Sequence, residues 1–260
     1  EVAAFWASPV DVEAPAALAF TSGSTGVPKV VVNNQLMLVR DAWTNSVDTG
    51  CYGADDVVAH TLPLAFHAGL MVTVAGLVVG SRMELYDVRG EGIAGLPRWL
   101  AEVGAGVMHS SPAILRAFVG SRPDPSLLVG LRSLTIAGEA AHGRDVEAAR
   151  ALLPAGCVVR NRYGSSETGL IAEYAVPAGH PVLSGPLPVG RPVGDTVLRI
   201  TDADGAELAD GEVGVLTVTT RYLASGYWSA DGGIDPELSA ASFTTNPDGT
   251  GRARTARVSR

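Results

Sequence analysis

The stretch TSGSTGVPK, residues 21–29, places four hydroxyl side chains, two glycines and one lysine in a single short segment. Apolar runs at 18–20 and 30–32 flank it, so it reads as a loop between two buried strands. Glycine lets the backbone approach a ligand closely, and hydroxyls, free amides and an ammonium suit a polyphosphate. A polar hairpin turn is the alternative. Because Pro28 separates Gly26 from Lys29 and a β-branched run follows, the segment is not a Walker loop.

The composition is that of a globular protein with an ample core. The 260 residues are 47% hydrophobic and 18% charged, and the net charge of −8 argues against a nucleic-acid partner. Two cysteines are too few for a disulfide framework, and no Cys or His cluster has zinc spacing. The longest apolar stretch, 70–79, is too short to cross a bilayer and predicts a buried helix. No charged-then-apolar signal opens the chain, so we expect a cytoplasmic protein with no membrane partner.

Apolar, β-rich runs alternate with amphipathic segments through the first two-thirds of the chain. Candidate strands cover residues 17–20, 29–33, 56–61, 82–86, 106–109, 132–137 and 157–161, and candidate helices cover 34–47, 92–103, 111–119 and 143–153. This alternation predicts an α/β fold with a mostly parallel sheet covered by helices. Ligands in such sheets bind at the carboxyl ends of strands, which is where the polar loops after Phe20, Ala137 and Arg160 would fall.

The sequence changes character from about residue 181, where proline and glycine become frequent. Strand-like runs at 196–201 and 213–220 then flank turn residues at 202–205. We therefore expect a larger α/β unit over residues 1–180 and a smaller antiparallel, β-rich subdomain over 181–260. The last fifteen residues are rich in arginine and poor in apolar residues, which predicts a mobile end.

Three more strings lie at the ends of predicted strands or helices. NRYGSSETG, 161–169, follows an apolar strand and combines hydroxyls, an aromatic ring and a carboxylate. Ala137-Gly138-Glu139-Ala140 follows another strand, and LPLAFHAG, 62–69, precedes an apolar helix. Taken alone, each has an ordinary structural explanation: a solvated loop carboxylate, an acidic first helical turn, and a packed core histidine.

Together, in this order, the strings resemble those of the adenylate-forming (AMP-binding) superfamily, which includes acyl-CoA synthetases, peptide-synthetase adenylation domains and luciferases. The resemblance runs from about residue 16 to residue 254. Residues 211–216 and 226–228 match a strand segment of the family, for which we expect a structural role only. The resemblance implies that residues 1–180 form the nucleotide-binding core of an AMP-binding domain, with ATP and Mg²⁺ as cofactors.

The resemblance also assigns roles to individual residues. The phosphates of ATP would contact Thr21, Ser22, Gly23, Ser24, Thr25, Gly26 and Lys29. The adenine, the α-phosphate and the acyl pocket would be bordered by Gly138, Glu139, Ala140, Asn161, Arg162, Tyr163, Gly164, Ser165 and Ser166. Tyr163 would lie against the adenine ring, Ser166 would reach the α-phosphate, and Glu167 would hold Mg²⁺. His67 would line the acyl site, so that Lys29, His67 and Glu167 are the candidate catalytic residues.

The substrate implied is a small carboxylic acid. Amino-acid-activating members of the family place an aspartate at the position of His67, where it pairs with the substrate ammonium. An aryl or acyl acid is therefore favoured over an α-amino acid. The acyl acceptor stays open among coenzyme A, a carrier protein and an amine.

Three departures from the family pattern keep an alternative open. The chain looks truncated at both ends, since a long leading segment and the small C-terminal domain with its lysine have no counterpart. Arg257 stands where the family has an aspartate that grips the ribose, and a guanidinium cannot accept a hydrogen bond. Asn34 and Val30 stand near positions where the family commonly has His and Gly. The alternative function is a non-catalytic remnant or partner subunit that retains the AMP-binding fold, and an unrelated phosphotransferase is a distant third.

Overall fold

The computed structural model describes residues 10–21, 28–176, 179–182, 184–246 and 250–259, with the backbone alone at 252 and 254–259. Its strands are β1 Pro15–Thr21, β2 Lys29–Asn34, β3 Val57–His60, β4 Arg82–Leu85, β5 Val107–Ser110, β6 Ser133–Ile136, β7 Val158–Ser165, β8 Gly169–Val176, β9 Arg191–Pro192, β10 Val197–Thr201, β11 Val213–Thr220, β12 Gly226–Trp228, β13 Ile234–Asp235, β14 Phe243–Thr245 and β15 Gly251–Ser259. Its α-helices are α1 Gln35–Trp43, α2 His67–Val79, α3 Val88–Glu91, α4 Leu96–Val103, α5 Pro112–Gly120, α6 Gly143–Arg150 and α7 Pro236–Ala240. A π-helical turn, Thr44–Asp48, extends α1, and a 3₁₀ turn covers Pro125–Leu128.

A seven-stranded sheet forms the centre of the fold. Its order is β4-β3-β5-β6-β7-β8-β9, and the pairs from β4 through to β7 are parallel. The last two pairs, β7 with β8 and β8 with β9, are antiparallel. The α/β fold with a mostly parallel sheet is thereby confirmed, because helices connect the parallel strands as such crossovers require.

Two smaller antiparallel sheets accompany the central one. The first has the order β1-β2-β12-β13, and the second has the order β10-β11-β15-β14. The antiparallel β-rich part of the fold predicted from residues 196–201 and 213–220 is confirmed, and β11 covers the second of these ranges without change.

Local sequence explains where the helices begin and end. The Asn34 side chain accepts a hydrogen bond of 2.9 Å from the Met37 amide and so caps α1. Ser111 caps α5 in the same way, and Pro112 occupies the first helical position. Helix α2 ends at Gly80, whose φ of 85° is left-handed and favours glycine.

The largest hydrophobic core packs against the central sheet. Its fully enclosed members include Leu96 of α4, Met108 of β5, Leu115 of α5 and Ile136 of β6. Burial of such apolar faces fixes the helices on the sheet. The predicted buried helix at 70–79 is present within α2, although Leu77 and Val78 on it are exposed.

Two sequence expectations about strands are wrong in part. Strand β1 pairs with β2 in the separate antiparallel sheet, so the loop after Phe20 does not follow a strand of the central sheet. Strand β7 continues to Ser165, so that residues 161–165 are strand and not loop, because β8 pairs with them as far as Gly169. The Ala137–Ala140 turn does follow a parallel strand, β6, as expected.

The chain end forms a strand, and its mobility stays a prediction. Gly251–Ser259 forms β15, which pairs with β11 over its length and with β14 at its start. Backbone pairing needs no apolar side chains, so low hydrophobicity did not prevent a strand from forming there. Within the described ranges, no helix is both long and apolar enough to cross a bilayer.

Candidate functional site

A cavity of about 1010 Å³ lies at the carboxyl ends of the parallel strands β3, β5 and β6. Helix α2 begins at its edge, and the ends of β1 and β7 complete its wall. The cavity brings together predicted site residues from four separate strings. They are Thr21, His67, Gly138, Glu139, Arg162, Tyr163, Gly164, Ser165 and Ser166.

Of the remaining predicted site residues, four do not line this cavity and five are not among the described residues. Ser22, Gly23, Ser24, Thr25 and Gly26 fall outside the described residues. Asn161 is buried, and its amide donates to the Pro188 carbonyl at 2.9 Å, which gives it a structural contact. Ala140 is exposed, and neither it nor Lys29 nor Glu167 lines the cavity as the described residues define it.

Hydrogen bonds hold the β7–β8 hairpin that carries Ser165, Ser166 and Glu167. The Ser165 and Thr168 hydroxyls lie 3.1 Å apart, and the Glu167 amide donates to the Ser165 hydroxyl at 3.3 Å. The Ser166 carbonyl accepts a hydrogen bond of 2.8 Å from the Asn33 amide at the end of β2. The hairpin is therefore fastened to the strand that follows the TSGSTGVPK segment.

Tyr227 connects the two charged residues that the sequence picks out. Its phenol donates a hydrogen bond to Glu167 Oε1 at 3.0 Å, and the Lys29 ammonium lies 4.8 Å from the centre of its ring. The ring is buried, because β12 pairs with β2. Burial raises the pKa of Tyr227 to about 12, a hydrogen bond with Ser242 opposes that shift and the neighbouring Glu167 adds to it, so the phenol stays protonated at neutral pH.

His67 occupies the first turn of α2 at the cavity edge. Burial lowers its pKa to about 4, although the nearby Glu167 carboxylate acts in the opposite direction. The imidazole is thus neutral at pH 7. Its Nε2 is enclosed and has no hydrogen-bond partner within the described part of the chain.

Tyr163, on β7, and Glu139, in the turn after β6, border the same cavity. Tyr163 packs against a hydrophobic cluster formed by Ile171 of β8 and residues of β10 and β11, and it also lines the cavity. Glu139 is exposed, and its carboxylate pairs with Arg116 at 3.3 Å. The ring is therefore the better-positioned of the two for contact with a planar base.

Sequence reasoning missed Tyr227 and the residues deep in the cavity. Tyr227 lies in the 226–228 string, to which the sequence assigned a structural role alone. Asp41, Asn45, His60 and His109 also line the cavity, and all four are buried. Nothing in their local sequence marks them, because they meet only when α1, β3 and β5 are side by side.

A magnesium ion fits what the site offers. No group of three or more His, Cys, Asp and Glu residues gathers in a metal-binding arrangement in the described ranges. Mg²⁺ with a nucleotide needs only one or two carboxylates, since the phosphates and water supply the other oxygens. Tyr227 holds Glu167 Oε1 in place, which leaves Oε2 for a cation.

Comparisons with known proteins find relatives of this chain by sequence. The family model for AMP-binding enzymes matches residues 3–228. The L-proline–[L-prolyl-carrier protein] ligase of Streptomyces coelicolor is 28% identical over 217 residues, which are 82% of this chain and 40% of that protein. The sulfoacetate–CoA ligase of Cupriavidus necator is 31% identical over 249 residues, covering 91% of this chain and 44% of that protein.

Solved structures share the fold as well. The crystal structure of CmiS6 superposes with a TM-score of 0.82 at 28% identity, over 95% of this chain and 58% of CmiS6. The chain thus spans well under two thirds of the relatives named here.

Proposed function

The chain belongs to the family of AMP-binding enzymes, and from that premise we propose that it activates a carboxylic acid with ATP, as an acyl-adenylate. One observation supports this most directly. Thr21, His67 and the Tyr163–Ser166 stretch come from distant parts of the sequence and border a single cavity. ATP and a small acid together need such a shared space, with the acid held next to the α-phosphate.

In the proposed reaction, a carboxylate oxygen of the acid attacks the α-phosphorus of ATP. A new oxygen–phosphorus bond forms, and the bond from that phosphorus to the bridging oxygen of the β-phosphate breaks. Pyrophosphate leaves with the electron pair, so no proton or oxidant is needed. The protein then has to position the reactants and offset their negative charge.

The chain's own residues would divide this work. Tyr163 would lie against the adenine ring, and Ser166 would donate its hydroxyl to the α-phosphate. Lys29 and the hydroxyls of residues 21–25 would offset the charge of the β- and γ-phosphates. Mg²⁺ when bound would neutralise phosphate charge, with Glu167 as its protein ligand and Tyr227 holding that carboxylate.

The substrate would be an acyl or aryl acid and not an α-amino acid. His67 is neutral and presents no carboxylate to an α-ammonium group at the cavity edge. The acceptor would be coenzyme A, a carrier protein or an amine; the two ligases compared above are named for a carrier protein and for CoA. We also propose the division into a nucleotide-binding core, 1–180, and a β-rich subdomain, 181–260.

Calorimetric titration of ATP with Mg²⁺ tests the proposal on this chain. Wild-type protein should bind, and Lys29→Ala and Glu167→Ala should each weaken binding by about tenfold or more, as expected for loss of a charged contact. Glu102→Ala, on the exposed face of α4, is the control and should bind as the wild type does. Unchanged affinity in both site variants would place the nucleotide elsewhere.

Acid-dependent exchange of pyrophosphate into ATP then tests the chemistry, with a panel of acyl, aryl and α-amino acids. The non-catalytic alternative is favoured by one observation, Arg257 in place of an acidic residue. Silence of the exchange assay together with absence of ATP binding would support that alternative.

A further inference from the structure

The deep end of the cavity is polar although it is almost closed to solvent. His60 ends β3 and Thr61 follows it, His109 and Thr135 lie on β5 and β6, and Asn45 comes from the turn after α1. Each of these side chains is buried and lines the cavity. A cavity end built for a hydrocarbon or a plain aromatic ring would be apolar instead.

Arg162 is the charged group at this deep end. Its Nε donates to Glu173 Oε2 at 2.7 Å, one terminal nitrogen donates to Asn45 Oδ1, and the other donates to the Thr49 hydroxyl at 3.1 Å. A guanidinium has five N–H donors. Two of them therefore have no partner within the described part of the chain, and the side chain lines the cavity while only 6% of it is exposed.

Positive charge is also in excess there. Arg160 and Arg162 share one buried carboxylate, that of Glu173, and Asp41 is a second buried carboxyl group that acts on Arg162, so with Arg40 three guanidinium groups face two carboxyl groups. Asp41 lies 3.9 Å from Arg40, whose guanidinium also donates to the carbonyls of residues 170 and 193. Burying unpaired charge is costly, so a bound anion at this point would be favoured.

Further polar atoms lack partners around the same space. Asp41 Oδ1, His60 Nδ1 and His109 Nε2 are enclosed with no hydrogen-bond partner among the described residues. His60 Nε2 lies 3.1 Å from the Gly69 carbonyl, which assigns the proton to that nitrogen. Asp41 Oδ1 and His60 Nδ1 are acceptors that an anion cannot satisfy, so of these three atoms only His109 Nε2, when it carries the ring proton, can donate to a bound anion.

We propose that the acid bound here carries a second anionic group at the end opposite its reacting carboxylate, and that Arg162 binds this group. The inference rests on the proposed function, because the reacting end is placed by the nucleotide. The substrate class is a dicarboxylic acid or another acid with a distal anion. A distal ammonium would face the excess positive charge of Arg160 and Arg162 and is disfavoured.

Binding of matched acids to the wild-type chain tests the substrate class. The probes are linear dicarboxylic acids, the monocarboxylic acids of equal chain length and the corresponding ω-amino acids, titrated by calorimetry with saturating ATP and Mg²⁺. The best dicarboxylic acid should bind about tenfold or more tightly than its monocarboxylic match. Equal or tighter binding of the monocarboxylic or ω-amino acid would overturn the inference, as would binding of none of the three classes.

The two arginines on Glu173 supply a matched pair of variants. Arg162→Met should remove the preference, so that the dicarboxylic acid binds no more than about twofold more tightly than its monocarboxylic match. Arg160→Met breaks an ion pair to the same Glu173, but Arg160 does not line the cavity, so the preference should remain. Loss of the preference in both variants alike would overturn the role of Arg162.

Two further measurements cover a variant that does not fold and separate this inference from the proposed function. If Arg162→Met does not fold, as judged by circular dichroism, Arg162→Lys keeps the charge and should retain part of the preference, while the wild-type comparison decides the substrate class. Titration of ATP without acid separates the two proposals. If the wild-type chain does not bind ATP, the proposed function is refuted. ATP binding without a preference for the second anion would refute only this inference.

Discussion

The phenol of Tyr227 lies 3.0 Å from Glu167 Oε1, and its ring lies under the Lys29 ammonium. A residue that the sequence marks as structural thus contacts both charged groups proposed to bind the phosphates and their metal ion. It can do so because β12 pairs with β2 in a sheet separate from the central one. Four predictions follow from this contact and its surroundings.

Tyr227→Phe should raise the Mg²⁺ concentration needed for half-maximal ATP binding by about tenfold. The ring and its contact with Lys29 remain, and only the hydrogen bond to the carboxylate is lost, which is worth roughly 1.5–3 kcal/mol for a charged acceptor. The measurement is an ATP titration at graded Mg²⁺ concentrations. Tyr174→Phe, at a tyrosine that packs on the main core, is the control and should leave the Mg²⁺ dependence unchanged. Equal dependence in wild type and Tyr227→Phe would mean that the hydrogen bond does not orient Glu167.

Lys29 is the only lysine in the sequence, since every other basic side chain of the Lys and Arg total is arginine. An amine-reactive reagent should therefore modify this site alone, apart from the chain's α-amino group. ATP with Mg²⁺ should slow modification of Lys29 by about tenfold, because the ammonium would be paired with phosphate. Peptide mass spectrometry gives the rate, and the α-amino group serves as the internal control. Identical rates with and without ATP would exclude contact between Lys29 and the nucleotide.

The stability of the chain should fall steeply as the pH drops from about 6.5 to 4. Burial lowers the pKa of His60 and of His67 to about 4, and it lowers that of His109 well below 6.5. The unfolded chain binds protons on these groups in that window while the native chain does not, so protons favour unfolding. For His60, which is 1% exposed, the unfolding free energy lost across this pH range is roughly 3 kcal/mol.

One carboxyl group, that of Asp41, opposes this loss of stability at low pH. Burial raises the pKa of Asp41, whose native form therefore takes up a proton more readily than the unfolded one. The destabilisation expected from protonation of the three histidines exceeds the stabilisation expected from this single carboxyl group. Urea unfolding at a series of pH values measures how the unfolding free energy depends on pH. His60→Gln should reduce that dependence, whereas His180→Gln, at an exposed histidine, should leave it unchanged. A stability independent of pH across this window would contradict the prediction.

Gly164→Ala should destabilise the β7–β8 hairpin that carries Ser166 and Glu167. A Cβ atom at Gly164 would lie 2.1 Å from the Gly169 carbonyl oxygen, so the paired strands would have to separate. We expect a loss of about 1–3 kcal/mol in unfolding free energy and weaker ATP binding. Gly156→Ala, where a Cβ would meet no atom within 4 Å, is the matched control for thermal and urea unfolding. Equal stability of both variants would show that the hairpin tolerates the added methyl group.

Several features were accessible from local sequence because they depend on short-range chemistry. The period of apolar residues marked β11 at 213–220, and the strand–helix alternation marked the parallel part of the central sheet. The Gly138 turn after β6 could be placed from its polar residues. The extension of β7 to Ser165 could not, because it depends on pairing with β8, which lies beyond the turn.

By itself, the sequence determined the family, the α/β fold and the strings that border the cavity, since hydroxyls, glycines and strand periodicity are encoded within a few neighbouring residues. The tertiary structure alone decided that Tyr227 meets Glu167, that β1 and β2 leave the central sheet, and that Arg162 shares Glu173 with Arg160 at the closed end of the cavity. These relationships join residues far apart in the chain. These contacts are strong because they are buried and because charges interact more strongly in a low-dielectric interior. Neither condition can be read from a short stretch of sequence.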